Sequence, residues 1–424
     1  MSPFGLRRRL PAPHGFRPRL IAAALIAITV MALLLTVGPV HLLHGSRGDR
    51  AGSRTAAVNV ATSRRAGHAR AVMAQGSAGR TGRYQASGVP RLARVRWRFP
   101  HGPFFSSPVV AADVVYVGGT DGNVYAIDAG SGRERWHVAT GAAVHSSAAV
   151  ADGVVYIGSD NGRLYAIDAT TGQTRWRIRL GDRVPSSPLV DQGVLYVSSI
   201  NGAHEVGDRA GFLYAIRAAD GRVRWRVALG AWGPSAPAMQ GGTVYVGAAD
   251  GDLYAIDAAS GHPRWRVRLG SGAVSSPAVD HGVVYAGSQN GILYAIDAAS
   301  GHPRWRFRVS STASPAVSEP AVADGVVYAG SSAGDLYAID TASGHPRWRV
   351  NTGDGVSARP AVARGIVYVG SVVNAIEGRF SALDATSGRE FWRFDPGHKI
   401  LGSSPAVADG RLYLGAWNGL YALE

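Results

Sequence analysis

The chain has 424 residues, no cysteine, 56 glycines and a formal net charge of +15. The lack of cysteine excludes disulfides, a thiol nucleophile, cysteine-ligated zinc and anchoring through a lipidated cysteine. The charge does not mark a nucleic-acid binder: residues 1–90 hold 13 Arg and a single acid, Asp49, whereas residues 91–424 hold 31 basic and 28 acidic groups.

Residues 1–19 form a basic segment with Arg7, Arg8, Arg9, Arg17 and Arg19. An uncharged apolar run follows at residues 20–37, LIAAALIAITVMALLLTV. Eighteen residues rising ~1.5 Å each reach roughly 27 Å, close to the hydrocarbon thickness of a bilayer. The run is longer than a signal-peptide core and no small-residue cleavage site follows it, so residues 20–43 are predicted as a transmembrane signal anchor, with a cleaved signal as the alternative. Arginines ahead of the span place the N-terminus in the cytoplasm and the rest of the chain outside it. Residues 44–90 are rich in Gly, Ala, Ser and Arg and poor in aromatics, which predicts a flexible linker.

A repeat begins near residue 91. Tyr-Ala-Ile-Asp occurs at 125–128, 165–168, 254–257, 294–297 and 337–340, with degenerate copies at 214–217, 381–384 and 421–424. A tryptophan stands eight residues beyond the last position of seven copies: Trp136, Trp176, Trp225, Trp265, Trp305, Trp348 and Trp392. Their spacings are 40, 49, 40, 40, 43 and 44 residues. Each unit reads as four short strands rich in Val, Ile and Tyr; in the first unit these are 107–111, 114–118, 123–128 and 135–139. Ala-Asp-Gly, Asp-Gly-Asn and Ser-Gly supply the turns.

Four strands per 40–45 residues predict an all-β, eight-bladed β-propeller over 91–424. The final unit ends at Glu424 without its Trp strand, and residues 94–99 (RVRWRF) supply a Trp strand, Trp97, with no unit before it. The N-terminal strand is therefore expected to complete the last blade. Alternation in Arg-Trp-Arg puts Trp on one face of the outer strand and Arg on the other. Arg266, Arg268, Arg306 and Arg308 are expected to guard exposed strand edges.

The pattern Ala126-x-Asp128-x-x-x-Gly132-x-x-x-Trp136, repeated at 166–176, 255–265, 295–305 and 338–348, resembles the tryptophan-docking motif of the pyrroloquinoline quinone (PQQ) repeat propellers. The resemblance implies that Trp97 and the seven repeat tryptophans pack between neighbouring blades. Arg217 replaces the motif Asp in blade three. Two branches of the family carry different expectations. The quinoprotein dehydrogenases hold PQQ over the axis beside Ca²⁺, with a catalytic Asp, carboxylate and amide ligands and commonly a vicinal disulfide, which this cysteine-free chain cannot form. The non-enzymatic branch, similar to the propeller lipoprotein of outer-membrane assembly, has compact loops like those seen here.

His262, His302 and His345 recur in equivalent Ser-Gly-His-Pro turns, and Ser-Ser-Pro recurs at 106–108, 186–188, 275–277 and 403–405, so both read as repeat grammar rather than as metal ligands or nucleophiles. Function is expected where the repeat is broken. The second-to-third-strand loops of blades three and seven are enlarged, and with the loops entering the inner strands they define one face. Candidate binding residues on it are His145, Arg183, His204, Glu205, Asp208, Arg209, Trp232, Glu319, Arg359, Glu377, Arg379, Lys399 and Trp417, with Phe104 and Phe105 beside them. The reading is a non-catalytic, monomeric, membrane-tethered extracytoplasmic propeller that binds a protein, with no catalytic, metal or cofactor residues. A PQQ- and Ca²⁺-dependent dehydrogenase is the second reading and a small-ligand sensor the third.

Overall fold

The structure, a computed structural model, describes residues 72–424 apart from 75, 203–209, 231–232, 271, 313–314, 357 and 401. The predicted anchor and basic segment lie outside the described residues. No helix among the described residues is long and apolar enough to cross a membrane.

Eight antiparallel sheets are arranged in sequence as blades. Blade 1 comprises Val109–Ala111, Val114–Gly118, Asn123–Asp128 and Glu134–Ala139, in the order inner to outer. The second strands are continuous apolar runs because neighbouring blades cover both of their faces; Val114–Gly118 is buried throughout. Outer strands alternate between half-buried and exposed positions, as in Glu134–Ala139. Blade 8 joins the two ends of the ring: Val95–Phe99 pairs antiparallel with Gly419–Leu423, setting Trp97 opposite Ala422. The strap closure expected from the orphan Trp97 strand is therefore present.

The tryptophans dock between blades. Trp136 Nε1 donates to the carbonyl of Ala169 in the next blade at 3.0 Å, and the Tyr116 hydroxyl donates to the same oxygen at 3.4 Å. Trp97, Trp176, Trp225, Trp265, Trp305 and Trp348 make the equivalent bond at 2.9–3.0 Å. The eighth, Trp392, donates instead to Val89 at 2.8 Å. Glycine is required beneath seven of the eight rings, all but Trp392. A Cβ on Gly132 would lie 2.6 Å from the Trp97 indole, and its φ of 72° is left-handed.

The motif Asp organises the turn before the outer strand. Asp128 Oδ1 accepts from the Ser131 amide and hydroxyl at 2.8 Å, and Oδ2 accepts from Arg135 at 2.6 Å. The same clamp recurs at Asp168–Arg175, Asp257–Arg264, Asp297–Arg304 and Asp340–Arg347. In blade three the charges are exchanged: Arg217 Nε donates to Asp220 Oδ1 at 2.7 Å. Of the expected edge arginines, Arg266 also holds a partner, donating to Asp252 at 2.5 Å while its guanidinium lies 5.1 Å from the Tyr254 ring centre.

The flexible linker expected over 44–90 does not extend to its last part. The described residues among 72–90 form an ordered segment inside the ring, called here the axial hairpin although its two short strands pair with different blades and not with each other. Val72–Met73 runs antiparallel to the blade 2 inner strand, Ala149–Ala151, and Arg83–Tyr84 runs parallel to that of blade 7, Ala361–Ala363. Between them the segment crosses the inner strands in turn. Its carbonyls at Ala78, Gly79, Thr81 and Gly82 accept from the amides of Met239, Val279, Val322 and Val362 at 2.6–2.9 Å. Inner strands have no strand partner on their axial side, so these bonds satisfy amides that the blades leave over. The small residues that resemble a linker are those the fit demands: a Cβ on Gly79 would lie 2.5 Å from the Val279 carbonyl.

Candidate functional site

Propeller topology gives the ring two unlike faces. Loops entering the inner strands and loops joining second to third strands share the upper face, where bridges Arg183↔Ile200, Val274↔Ser288 and Val317↔Ser331 tie them together. Turns between first and second strands lie on the lower face. Because Val72–Met73 opposes an inner strand that descends, the hairpin ascends from the lower face; its parallel return beside blade 7 leads back down. Both arms of the hairpin therefore run toward the lower face.

The Ser-Ser-Pro repeat builds the upper wall. In blades one to six the first serine accepts a hydrogen bond from the second strand, as from Gly118 to Ser106 at 2.9 Å and Gly158 to Ser146 at 3.1 Å. The second position forms a ring around the axis: Ser107, Ser147, Ser187, Ala236, Ser276, Glu319, Arg359 and Ser404. It is linked blade to blade. The Ser404 amide donates to Ser107 Oγ at 2.9 Å, the Ser107 amide to Ser147 Oγ at 2.8 Å, and the Ser147 amide to Ser187 Oγ at 2.9 Å. The Ser276 hydroxyl donates to Glu319 Oε1 at 2.5 Å.

A cavity of about 230 Å³ lies within this ring. Its walls include Ser107, Ser147, Ser187 and Ser276, its rim Phe105 and His145, and its base Arg80 from the hairpin. Arg80 is 1% exposed. Its Nε donates to Pro237 O at 2.5 Å and its Nη2 to Ser187 O at 2.6 Å. Arg359 is fully buried beside it, donating through Nη1 to Arg80 O at 2.5 Å and through Nη2 to Ser276 O at 3.0 Å, with Glu319 at 3.5 Å. Burial pushes the Arg80 guanidinium down to about 9, and the charge of Arg359 adds to this. Burial also lowers Arg359. Sequence reasoning missed Arg80 altogether, since it lies in the segment read as a linker.

The other candidates separate by position. His145 Nδ1 is 2.8 Å from Asp160, which also pairs with Arg183. Burial alone would raise the Asp160 carboxyl, but hydrogen bonds from His145 and Arg183 outweigh it and hold the group below its ordinary value. Trp417 is 39% exposed and sets its edge against Phe105, with ring centres 6.1 Å apart; Phe105 in turn meets His145 at 5.4 Å. The Lys399 carbonyl accepts from the Trp417 amide at 2.9 Å. Glu377 accepts from Asn374 at 2.6 Å and Arg379 pairs with Asp395 at 2.9 Å, both on the blade seven loop and away from the cavity. Two expectations of rim exposure are corrected. Arg359 is buried under the cavity, and Phe104 packs in the core against Phe99 and Tyr125 because the chain turns inward there. His204, Glu205, Asp208, Arg209 and Trp232 lie outside the described residues.

Calcium takes six to eight oxygen ligands, several of them carboxylate. Among the residues lining the cavity Glu319 is the one carboxylate, beside the Arg80 guanidinium, and no group of three or more His, Asp or Glu able to hold a metal exists among the described residues. The side chains present do not fit the cation that the dehydrogenase resemblance implies.

The sequence profile of the family described as outer membrane protein assembly factor BamB matches residues 50–149, 120–210, 209–353 and 333–424. The chain belongs to this family. No curated protein matches it. Among solved structures, BamB from Moraxella catarrhalis is similar at 21% identity and a TM-score of 0.64, over 78% of this chain and 98% of that one. Quinohemoprotein alcohol dehydrogenase from Comamonas testosteroni is similar at 16% identity and a TM-score of 0.68, over 83% and 80% of the two chains. A computationally designed protein, Ika8, is similar at 15% identity and a TM-score of 0.65, over 76% and 97%. At these identities the likenesses describe the ring and not its chemistry.

Proposed function

We propose that this BamB-family propeller is a non-catalytic protein-binding module, held on the extracytoplasmic side of a membrane by its N-terminal region. The make-up of the upper face carries the reading. That upper face combines aromatic and charged groups, Phe105, His145, Lys399 and Trp417, a composition suited to protein contact. Family membership supports the same reading, and the single carboxylate among the residues lining the axial cavity argues against a quinone–calcium centre.

Capture from membranes with the full-length protein as bait tests it. Trp417→Ala is expected to reduce recovery of a partner, whereas Asp152→Ala, on a lower-face turn, leaves recovery unchanged. Equal recoveries with both variants would count against the upper face. Dye reduction by alcohols or sugars after adding PQQ and Ca²⁺, abolished by a chelator, would overturn the non-catalytic assignment.

A further inference from the structure

We propose that the open edge of blade 2 is a docking site for an extended acidic segment of a partner protein, one with Glu or Asp at alternate positions, which adds antiparallel to the outer strand. The site lies on the outer wall of the ring, apart from the upper face, and does not depend on the reading given for that face.

Equivalent positions in different blades supply the first reason. Every blade ends in an outer strand that no further strand covers. In blade 2 this is Thr174–Arg179, with Arg175, Arg177 and Arg179 on its exposed face. The third strand, Arg163–Asp168, sets Arg163 across from Arg179 and Tyr165 across from Arg177. In the place of Arg163 blade 4 has Asp252 and blade 6 has Asp335, and these carboxylates bind Arg266 and Arg349. Blade 2 thus adds a positive charge where two other blades remove one. Asp168 holds Arg175, and Asp182 lies 3.5 Å from Arg179, while Arg163 and Arg177 pair with no acid among the described residues. Blade 5 is intermediate, with Ile292 in the place of Arg163. Blades 4 and 6 protect their edges with the ladder neutralised, so protection does not account for the surplus on blade 2.

Backbone direction is the second reason. The Leu180 amide donates to Gly162 O at 2.9 Å, so the chain at the end of the outer strand points its amide inward. Direction alternates along a strand, so Ile178 and Trp176 also point inward, and Arg177 and Arg179 turn their N–H and C=O groups away from the sheet. Charge and unpaired backbone therefore belong to the same residues. In an antiparallel strand added there, the residues opposite Arg177 and Arg179 exchange backbone bonds with them and lay side chains on the same face. Acids in those places meet the ladder at the spacing of about 6.8 Å that both strands share. The intervening residues fall on the side of Trp176 and Ile178. The blade 3 turn closes in there, since a Cβ on Gly221 would be 2.9 Å from the Trp176 ring and 3.0 Å from Ile178, so small residues are expected.

Charge complementarity selects the occupant. A second copy of this chain presents the same arginine-rich outer strands, and residues 1–90 hold 13 Arg against one acid, so neither is a complement. A nucleic acid would bring bases, but Tyr165 is buried and the exposed face of Thr174–Arg179 offers no aromatic platform for them.

Fluorescence anisotropy with the full-length chain in detergent at low ionic strength tests the site. The probe is the labelled heptapeptide Thr-Glu-Thr-Glu-Thr-Glu-Thr, and saturable binding is expected. An isomer with its Glu residues in succession should bind at least about tenfold more weakly, because its charges do not share one face. Methylating the Glu backbone nitrogens removes the donors that face the edge and should abolish binding; methylating the central Thr nitrogens should leave it intact. Arg163→Asp recreates the arrangement of blades 4 and 6, so the fold accommodates it, and should weaken binding about tenfold. The methylated pair is read on the unaltered protein and decides even if the substitution disturbs the blade. Polyphosphate and a single-stranded oligonucleotide, at equal charge, should displace the probe no better than the isomer does. The proposal is overturned if the alternating peptide does not bind, if the isomer or the Glu-methylated form equals it, if either polyanion displaces it as well as unlabelled peptide does, or if a folded Arg163→Asp protein keeps the full affinity.

Discussion

Trp392 donates its indole N–H to the carbonyl of Val89 at 2.8 Å, while the Val89 amide donates to the hydroxyl of Tyr368, the aromatic neighbour of that indole. In the other seven interfaces the tryptophan acceptor belongs to a residue in the turn that follows a third strand of the next blade. Here the segment leading out of the axial hairpin provides it. The hairpin and the closure of the ring are thus one mechanical unit.

Trp392→Phe should therefore lower stability by about 1–3 kcal/mol, because a buried carbonyl loses its donor. A chain beginning at residue 91 should melt well below one beginning at residue 72, since it lacks both the Val89 clasp and the carbonyls that satisfy Met239, Val279, Val322 and Val362. Thermal denaturation of the two truncations decides it; equal midpoints would mean that the hairpin merely rests in the channel.

Two glycines with nearly equal backbone angles separate conformational strain from interface contact. Gly301 (φ 75°) lies under the Trp265 indole, where a Cβ would be 2.8 Å from the ring; Gly282 (φ 74°) has nothing within 4 Å. Gly282→Ala should cost about 1 kcal/mol through backbone strain alone. Gly301→Ala should cost about 1–3 kcal/mol more, because the indole must move from a packed interface. Urea denaturation of both variants gives the difference.

Acid should loosen the ring at its turns. The Asp128, Asp168, Asp257, Asp297 and Asp340 carboxyls are held well below the usual range, chiefly by hydrogen bonds from their arginines and then from Ser or Thr in the turn. A carboxyl whose folded pKa is depressed contributes stability that is complete above the unfolded value near 4 and is lost as pH falls through the folded value. The urea midpoint should be flat above about pH 5 and fall below about pH 4. Arg304→Gln should lower the neutral-pH midpoint and make the acid decline shallower, because Asp297 then titrates closer to its unfolded value.

The exchanged pair of blade three predicts coupling rather than additivity. Arg217→Asp alone places a carboxylate near Asp220 and should destabilise the turn. Arg217→Asp with Asp220→Ser recreates the sequence of the other blades, with Arg224 in the position of their clamping arginine, and should recover the loss. A double-mutant cycle in denaturant measures the coupling; two independent effects would show that the Arg217–Asp220 contact contributes nothing.

The sequence by itself determined the number of blades, their strand order and the closure through Trp97. It could do so because Tyr-Ala-Ile-Asp and Trp recur in register, and each repeat is a unit whose contacts are mostly with its neighbours. It also showed that His262, His302 and His345 belong to turns. Only the tertiary structure decided what occupies the axis. Residues 72–90 contact the ring largely through carbonyl oxygens, which every residue type carries, so no side-chain pattern announces them. Their Gly and Ala content, read as looseness, is the consequence of close backbone approach. For the same reason Arg80 carried no signal: its position over the axis, beside Arg359 and beneath the Ser107–Ser147–Ser187 arc, depends on strands more than a hundred residues away in sequence.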